Sequence, residues 1–174
     1  MVDLIETRRG GPLEPPRLLP PLPGPDEDGP AGGWLTALPP EPPWLVGMWG
    51  ASCYYCRKGL ADLLPLAERT GVPFVALHVP EFPDDEASGA PEGALAALGF
   101  AVGRPGVFHH RDAREWARLV AMSYWPTFLV VDADRRATFV LIGWAGHGDA
   151  MYGPLARALD AARTAAERRR PATP

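Results

Sequence analysis

Cys53 and Cys56 are the only cysteines among the 174 residues, and they stand where an apolar run meets a helical pattern. Ahead of them Trp44-Leu45-Val46-Gly47-Met48-Trp49 is short and mostly apolar, the pattern of a buried strand. Behind them Leu60-Ala61-Asp62-Leu63-Leu64 through Glu68 has helical spacing, ended by Gly71 and Pro73. Pro65 falls inside that pattern and is expected to bend the helix without ending it. Strand, C-x-x-C, helix restricts the fold to those that set a dithiol on a helix N-terminus. Such a terminus leaves N–H groups unpaired and carries partial positive charge. Aimed at the first sulfur, it favours thiolate, the nucleophile of disulfide exchange. Two intervening residues place Cys56 one turn behind Cys53, close enough to resolve a mixed disulfide. The spacing therefore assigns attack to Cys53 and resolution to Cys56.

Two other readings of the pair exist. Half of a zinc site would need two further ligands. Only His78, His109, His110 and His147 are available, and none has the H-x3-5-H spacing that carries a zinc assignment. No metal and no organic cofactor is expected. The other reading is a purely structural cysteine pair on the same scaffold.

A formal charge of -4 and a pI near 5.5 argue against a nucleic-acid or anionic-membrane surface. The Arg168-Arg169-Arg170 run reads as a solvated end. No apolar run is long enough to span a bilayer. Met1 to Gly10 lacks the apolar core of a secretory signal, so the chain as written reads as cytoplasmic. A leader removed beforehand would make it periplasmic or extracytoplasmic.

Residues 1–33 read as a Pro/Gly-rich N-terminal arm, 34–167 as the folded domain and 168–174 as a tail. Pro15-Pro16, Pro20-Pro21, Pro39-Pro40 and Pro42-Pro43 deny helix and central strand alike. The segment is expected to be extended, wrapping the domain's own edge or docking on a partner. Its deletion is expected to leave a folded domain. Downstream, Pro73–Val79 reads as a second buried strand with His78 a core histidine. Glu81 to Gly89 is acidic and turn-rich, hence a loop. Pro91 to Leu98 reads as a short helix stopped by Gly99, and Gly106-Val107-Phe108 as a short edge strand. His109 and His110 are expected at a solvated turn after it. Asp112 can cap a helix reaching about Val120. Thr127–Val131 and Ala137–Ile142, joined by Asp132–Arg136, form a hairpin. The glycine-rich Gly143–Gly148 follows a hairpin strand, which argues against a nucleotide loop. A last helix runs from about Asp149 to Arg168.

That order, with C-x-x-C at the first strand–helix junction and Pro126 opening the hairpin, resembles the thioredoxin fold. Met48-Trp49-Gly50-Ala51-Ser52-Cys53-Tyr54-Tyr55-Cys56-Arg57 resembles the F-W-x-x-S-C-x-x-C signature of TlpA-like thioredoxins, especially the DipZ C-terminal type. His78-Val79-Pro80-Glu81-Phe82-Pro83, Trp116, Tyr124-Trp125-Pro126-Thr127 and the Gly143–His147 loop match that group in order. The same set is similar to thioredoxin domains that precede NHL repeats. The resemblance implies an α/β, thioredoxin-like fold, a central mixed β-sheet flanked by helices, with the Pro-rich extension added. It implies a thiol–disulfide oxidoreductase working through Cys53 and Cys56, with a cis Pro126 facing them. Trp125, Pro126, Tyr54, Tyr55 and Trp49 would form the surface that meets a substrate. Partners would be protein thiols or disulfides and a redox partner protein, with the Pro-rich arm a candidate docking element.

The chain departs from the family at several places. Gly47 stands where many thioredoxins carry a buried Asp, and Gly59 where TlpA-like proteins often carry Glu. Ala61 replaces a frequent Pro. These departures, with the long arm, support a second reading, a thioredoxin-like binding subunit of a larger assembly with little or no redox turnover. Fold alone does not decide between the two.

Overall fold

The computed structural model describes residues 10–24, 33–35, 37–86, 89–99 and 103–169. Among the described residues six strands form one mixed sheet in the order β1-β6-β5-β2-β3-β4. Their ranges are β1 Gly10–Leu18, β2 Trp44–Trp49, β3 Phe74–His78, β4 Val107–His110, β5 Thr127–Val131 and β6 Arg136–Ile142. β2, β3 and β4 run parallel, whereas β5 and β6 add antiparallel to β2 as the expected hairpin. The central strands are apolar on both faces because both faces are covered.

One face carries α1 (Tyr54–Thr70), α2 (Ala90–Ala97) and α4 (Tyr152–Arg169). Here Leu45, Phe74, Phe128 and Leu141 of the sheet meet Leu60, Leu63 and Leu64 of α1, Leu95 of α2, and Leu155 and Leu159 of α4. On the other face Val46, Met48, Val75, Leu77 and Leu129 meet Trp116 and Ala117 of α3 (Arg114–Leu119). α1 runs through Pro65, with Leu63, Leu64 and Leu66 buried on either side of it. It ends at Gly71, whose φ of 69° lets its N–H and that of Val72 close on the carbonyls of Glu68 and Ala67. Asp112 precedes α3 rather than occupying its N-cap, which is Ala113, but its carboxylate accepts from the Arg114 N–H.

The proline-rich segment is extended and its first part lies on the domain's own edge. It holds a strand, β1, which pairs antiparallel with β6. Prolines fit there because β1 is an edge strand with one side unpaired, and its register shifts between Pro12 and Arg17. Beyond it Leu19 is 5% exposed and joins the α3-side core. The Trp116 indole donates to the Pro21 carbonyl and the Trp34 indole to that of Pro23. Trp34 bridges to His110 while Leu35 N–H donates to the His109 carbonyl, so residues 33–35 line the opposite edge of the sheet at β4. The described parts of the segment thus lie along both sheet edges, and the arm contributes Leu19 to the core, where Trp34, the first residue of the expected domain, is also buried.

His109 and His110 also differ from expectation. They are β4 residues, 1% and 5% exposed, not a solvated turn. The strand outlasts Phe108 because Leu35 and Trp34 pair with its outer edge. His78 is a core histidine as expected, with Nδ1 2.7 Å from the Arg111 carbonyl oxygen. No helix among the described residues is long and apolar enough to cross a membrane.

Candidate active site at the Cys53–Cys56 disulfide

β2 delivers the chain to the C-terminal edge of the sheet, and α1 begins at Tyr54 with Cys53 as its N-cap. The cap is made by sulfur. Cys53 Sγ accepts from the Cys56 N–H at 3.2 Å, and the Cys53 carbonyl accepts from Arg57 N–H. The first turn has no acidic side chain, so nothing on α1 offsets the positive end of the helix. Cys53 and Cys56 are joined in a disulfide with Cα atoms 5.2 Å apart. The two sulfurs differ in access as the spacing requires. Cys56 is fully buried, and Gly50 N–H points at its Sγ from 3.4 Å, while Cys53 is half-buried at the surface.

The aromatic residues around the pair divide. Tyr54 and Tyr55 are each 59% exposed and meet edge-to-face. Trp125 is half-buried, its indole donating to the Val79 carbonyl at 3.1 Å. Its peptide bond to Pro126 is cis, and Pro126 is buried. A Thr127 hydroxyl bond to the Tyr124 carbonyl and a Gly143 N–H bond to the Pro126 carbonyl hold this loop. Trp49 does not belong to the rim. It is 1% exposed and packs against the His78 ring inside the protein, because it is the last inward-facing residue of β2.

The two missing acids have a packing explanation. A Cβ at Gly47 would lie 2.9 Å from the Phe74 ring and 3.0 Å from that of Phe128. A Cβ at Gly59 would lie 2.8 Å from the Phe128 ring. Both rings are fully buried. One phenylalanine therefore fills the space that a side chain at either position would need.

A carboxylate lies beside the turn that carries the dithiol. Asp85 lies in a short 3-10 turn, Pro83–Glu86, and is 2% exposed. Its Oδ1 accepts from Ser52 N–H at 2.6 Å, and Oδ2 accepts from Glu81 N–H at 3.0 Å and Phe82 N–H at 3.2 Å. Burial pushes the Asp85 carboxyl up, but those amide bonds outweigh it and hold the group below the usual carboxylate range. In the sequence Asp85 is one acid among several in an acidic loop. No periodicity marks it, and Ser52, the partner that ties it to the dithiol turn, lies in another segment.

No family model matches this chain, and no curated protein does. Solved structures do resemble it. A thio-disulfide isomerase from Thermus thermophilus aligns with a TM-score of 0.54 and 24% identity, over 69% of this chain and 78% of that one. A thioredoxin-like protein in its oxidised form aligns with a TM-score of 0.62 and 18% identity, over 86% and 98%. A secreted thiol-disulfide isomerase from Corynebacterium glutamicum aligns with a TM-score of 0.51 and 17% identity, over 67% and 70%. The fold is thioredoxin-like.

Proposed function

We propose that this chain is a thiol–disulfide oxidoreductase that exchanges its Cys53–Cys56 pair with protein disulfides. The observation that carries the reading is the asymmetric pair, one sulfur half-exposed on a helix N-cap and its partner fully enclosed behind it. In the reduced state Cys53 thiolate attacks a substrate disulfide. A Cys53–substrate S–S bond forms, the substrate bond breaks, and one substrate thiolate leaves. Cys56, as thiolate, then attacks Cys53 Sγ. The internal disulfide forms and the second substrate thiolate is released, so two electrons have passed to the substrate. Run backwards, the same steps oxidise a dithiol. The helix N-terminus stabilises the Cys53 thiolate as attacker and as leaving group.

Two thiols must be regenerated after each turnover, which requires a reductase or another dithiol protein as redox partner. Trp125, Pro126, Tyr54 and Tyr55 are the residues we assign to substrate contact. The solved relatives' descriptions as isomerases support this chemistry. Reduction of insulin by dithiothreitol, accelerated by the protein and abolished by Cys53→Ser, is the expected result. No acceleration would favour the binding-subunit reading, which the half-exposed aromatics Tyr54, Tyr55, Phe82 and Tyr124 make physically reasonable.

A further inference from the structure

Asp85 supplies the buried carboxylate that Phe128 excludes from positions 47 and 59. Its Oδ1 holds the amide of Ser52, the residue immediately before Cys53. Gly50 shows how close it comes. A Cβ at Gly50 would lie 3.2 Å from Asp85 Oδ2 and 3.6 Å from Cys53 Cβ, so carboxylate and nucleophile flank one point. We propose that Asp85 is a positioning residue that raises the proton affinity of Cys53 and so biases the pair toward reducing its substrates. The proposal rests on the disulfide-exchange reading above.

The physical argument is one of competing charges. The α1 N-terminus favours Cys53 thiolate, whereas a buried negative charge beside it disfavours that form. The remaining charges nearby are less able to act. Glu81, just before the turn, and Asp84 and Glu86 on it are exposed and screened. On α1, Arg57 is half-exposed and Lys58 exposed, with its Nζ 4.9 Å from the Trp144 ring and 5.8 Å from that of Tyr54. The Asp62 carboxylate accepts from the Trp144 indole. His78, behind Trp49, is driven toward its neutral form by burial. Asp85 is thus the enclosed charge at the nucleophile. Asp85 exchanges no proton or electron itself; the proton it governs is that of the Cys53 thiol. A destabilised thiolate destabilises the dithiol relative to the disulfide, which favours giving electrons away.

The test uses the full-length chain. Asp85→Asn keeps the shape and an acceptor for Ser52 N–H but removes the charge. In a Cys56→Ser background, the pH profile of Cys53 alkylation by iodoacetamide is expected to move down by about one unit, tenfold in acid dissociation constant. Asp85→Ser must move it the same way, and Asp85→Glu, which keeps the charge, must not. With both cysteines present, equilibrium with glutathione should shift severalfold toward the dithiol in Asp85→Asn. Unchanged or upward-moving alkylation midpoints in both charge-removing variants, or an unshifted glutathione equilibrium, would overturn the proposal. A wild-type protein with these thiol properties but no insulin reduction would instead overturn the exchange reading alone.

Discussion

His109 offers a direct measure of how the buried polar residues of this fold respond to acid. It is 1% exposed, and neither ring nitrogen has a hydrogen-bond partner among the described residues. Burial pushes its imidazole down from 6.5 to about 4. The folded pKa is depressed, so between those values the unfolded chain takes up a proton that the folded one refuses. Stability from this group is therefore present above pH 6.5 and lost as pH falls toward 4. Linkage gives a loss of about 2 kcal/mol between pH 7 and pH 5, approaching about 3 kcal/mol at pH 4. The perturbation is His109→Leu, which removes the titration and both unpartnered nitrogens while retaining bulk. Urea unfolding of both proteins at pH 7, 6 and 5 gives the difference in stability at each pH, in which titrations common to both cancel. The variant should gain about 2 kcal/mol on the wild type over that range. A difference that stays constant to within about 0.5 kcal/mol would refute the reasoning, because it would mean that His109 protonates in place.

Three further outcomes follow from the packing and the site. Cys56→Ser should accumulate mixed disulfides with client proteins on non-reducing gels while Cys53→Ser should not; equal trapping by both would reverse the assignment of attacker and resolver. Gly59→Ala should destabilise by about 1–3 kcal/mol in a thermal or urea melt, although alanine is the better helix former, because its methyl meets the Phe128 ring. Adding Phe128→Leu should recover part of that loss, and simple additivity of the two would show that they do not share space. Removing residues 1–19 should cost about 3 kcal/mol or more, since it uncovers the β6 edge and takes Leu19 from the core; an unchanged unfolding midpoint would show β1 to be dispensable.

Much of the domain was legible because its signals are local. The apolar runs of β2, β3 and β5, the hairpin and the break of α1 at Gly71 each depend on a few consecutive residues. The candidate dithiol was legible for the same reason, since one turn of helix sets the distance between Cys53 and Cys56. Ordered motifs such as Trp125-Pro126 then pointed to the loop beside it. β1 was not legible. Its prolines suppress every local strand signal, and it exists because β6, more than a hundred residues later, offers an open edge. Nor was the burial of His109 and His110, which depends on Trp34 and Leu35 reaching the outer edge of β4.

By itself the sequence determined the chemistry on offer: two sulfurs, their spacing, the strand and helix that present them, and a sheet around that junction. Only the tertiary structure decided which groups surround the sulfurs. Phe128 fills the space beside Gly47 and Gly59, Trp49 turns inward, and Asp85 crosses from another loop to hold the amide before Cys53. The division has one physical cause. Helix starts and residue spacing follow from backbone geometry over a few residues, whereas burial and charge at a site are set by side chains that meet only after distant segments have packed.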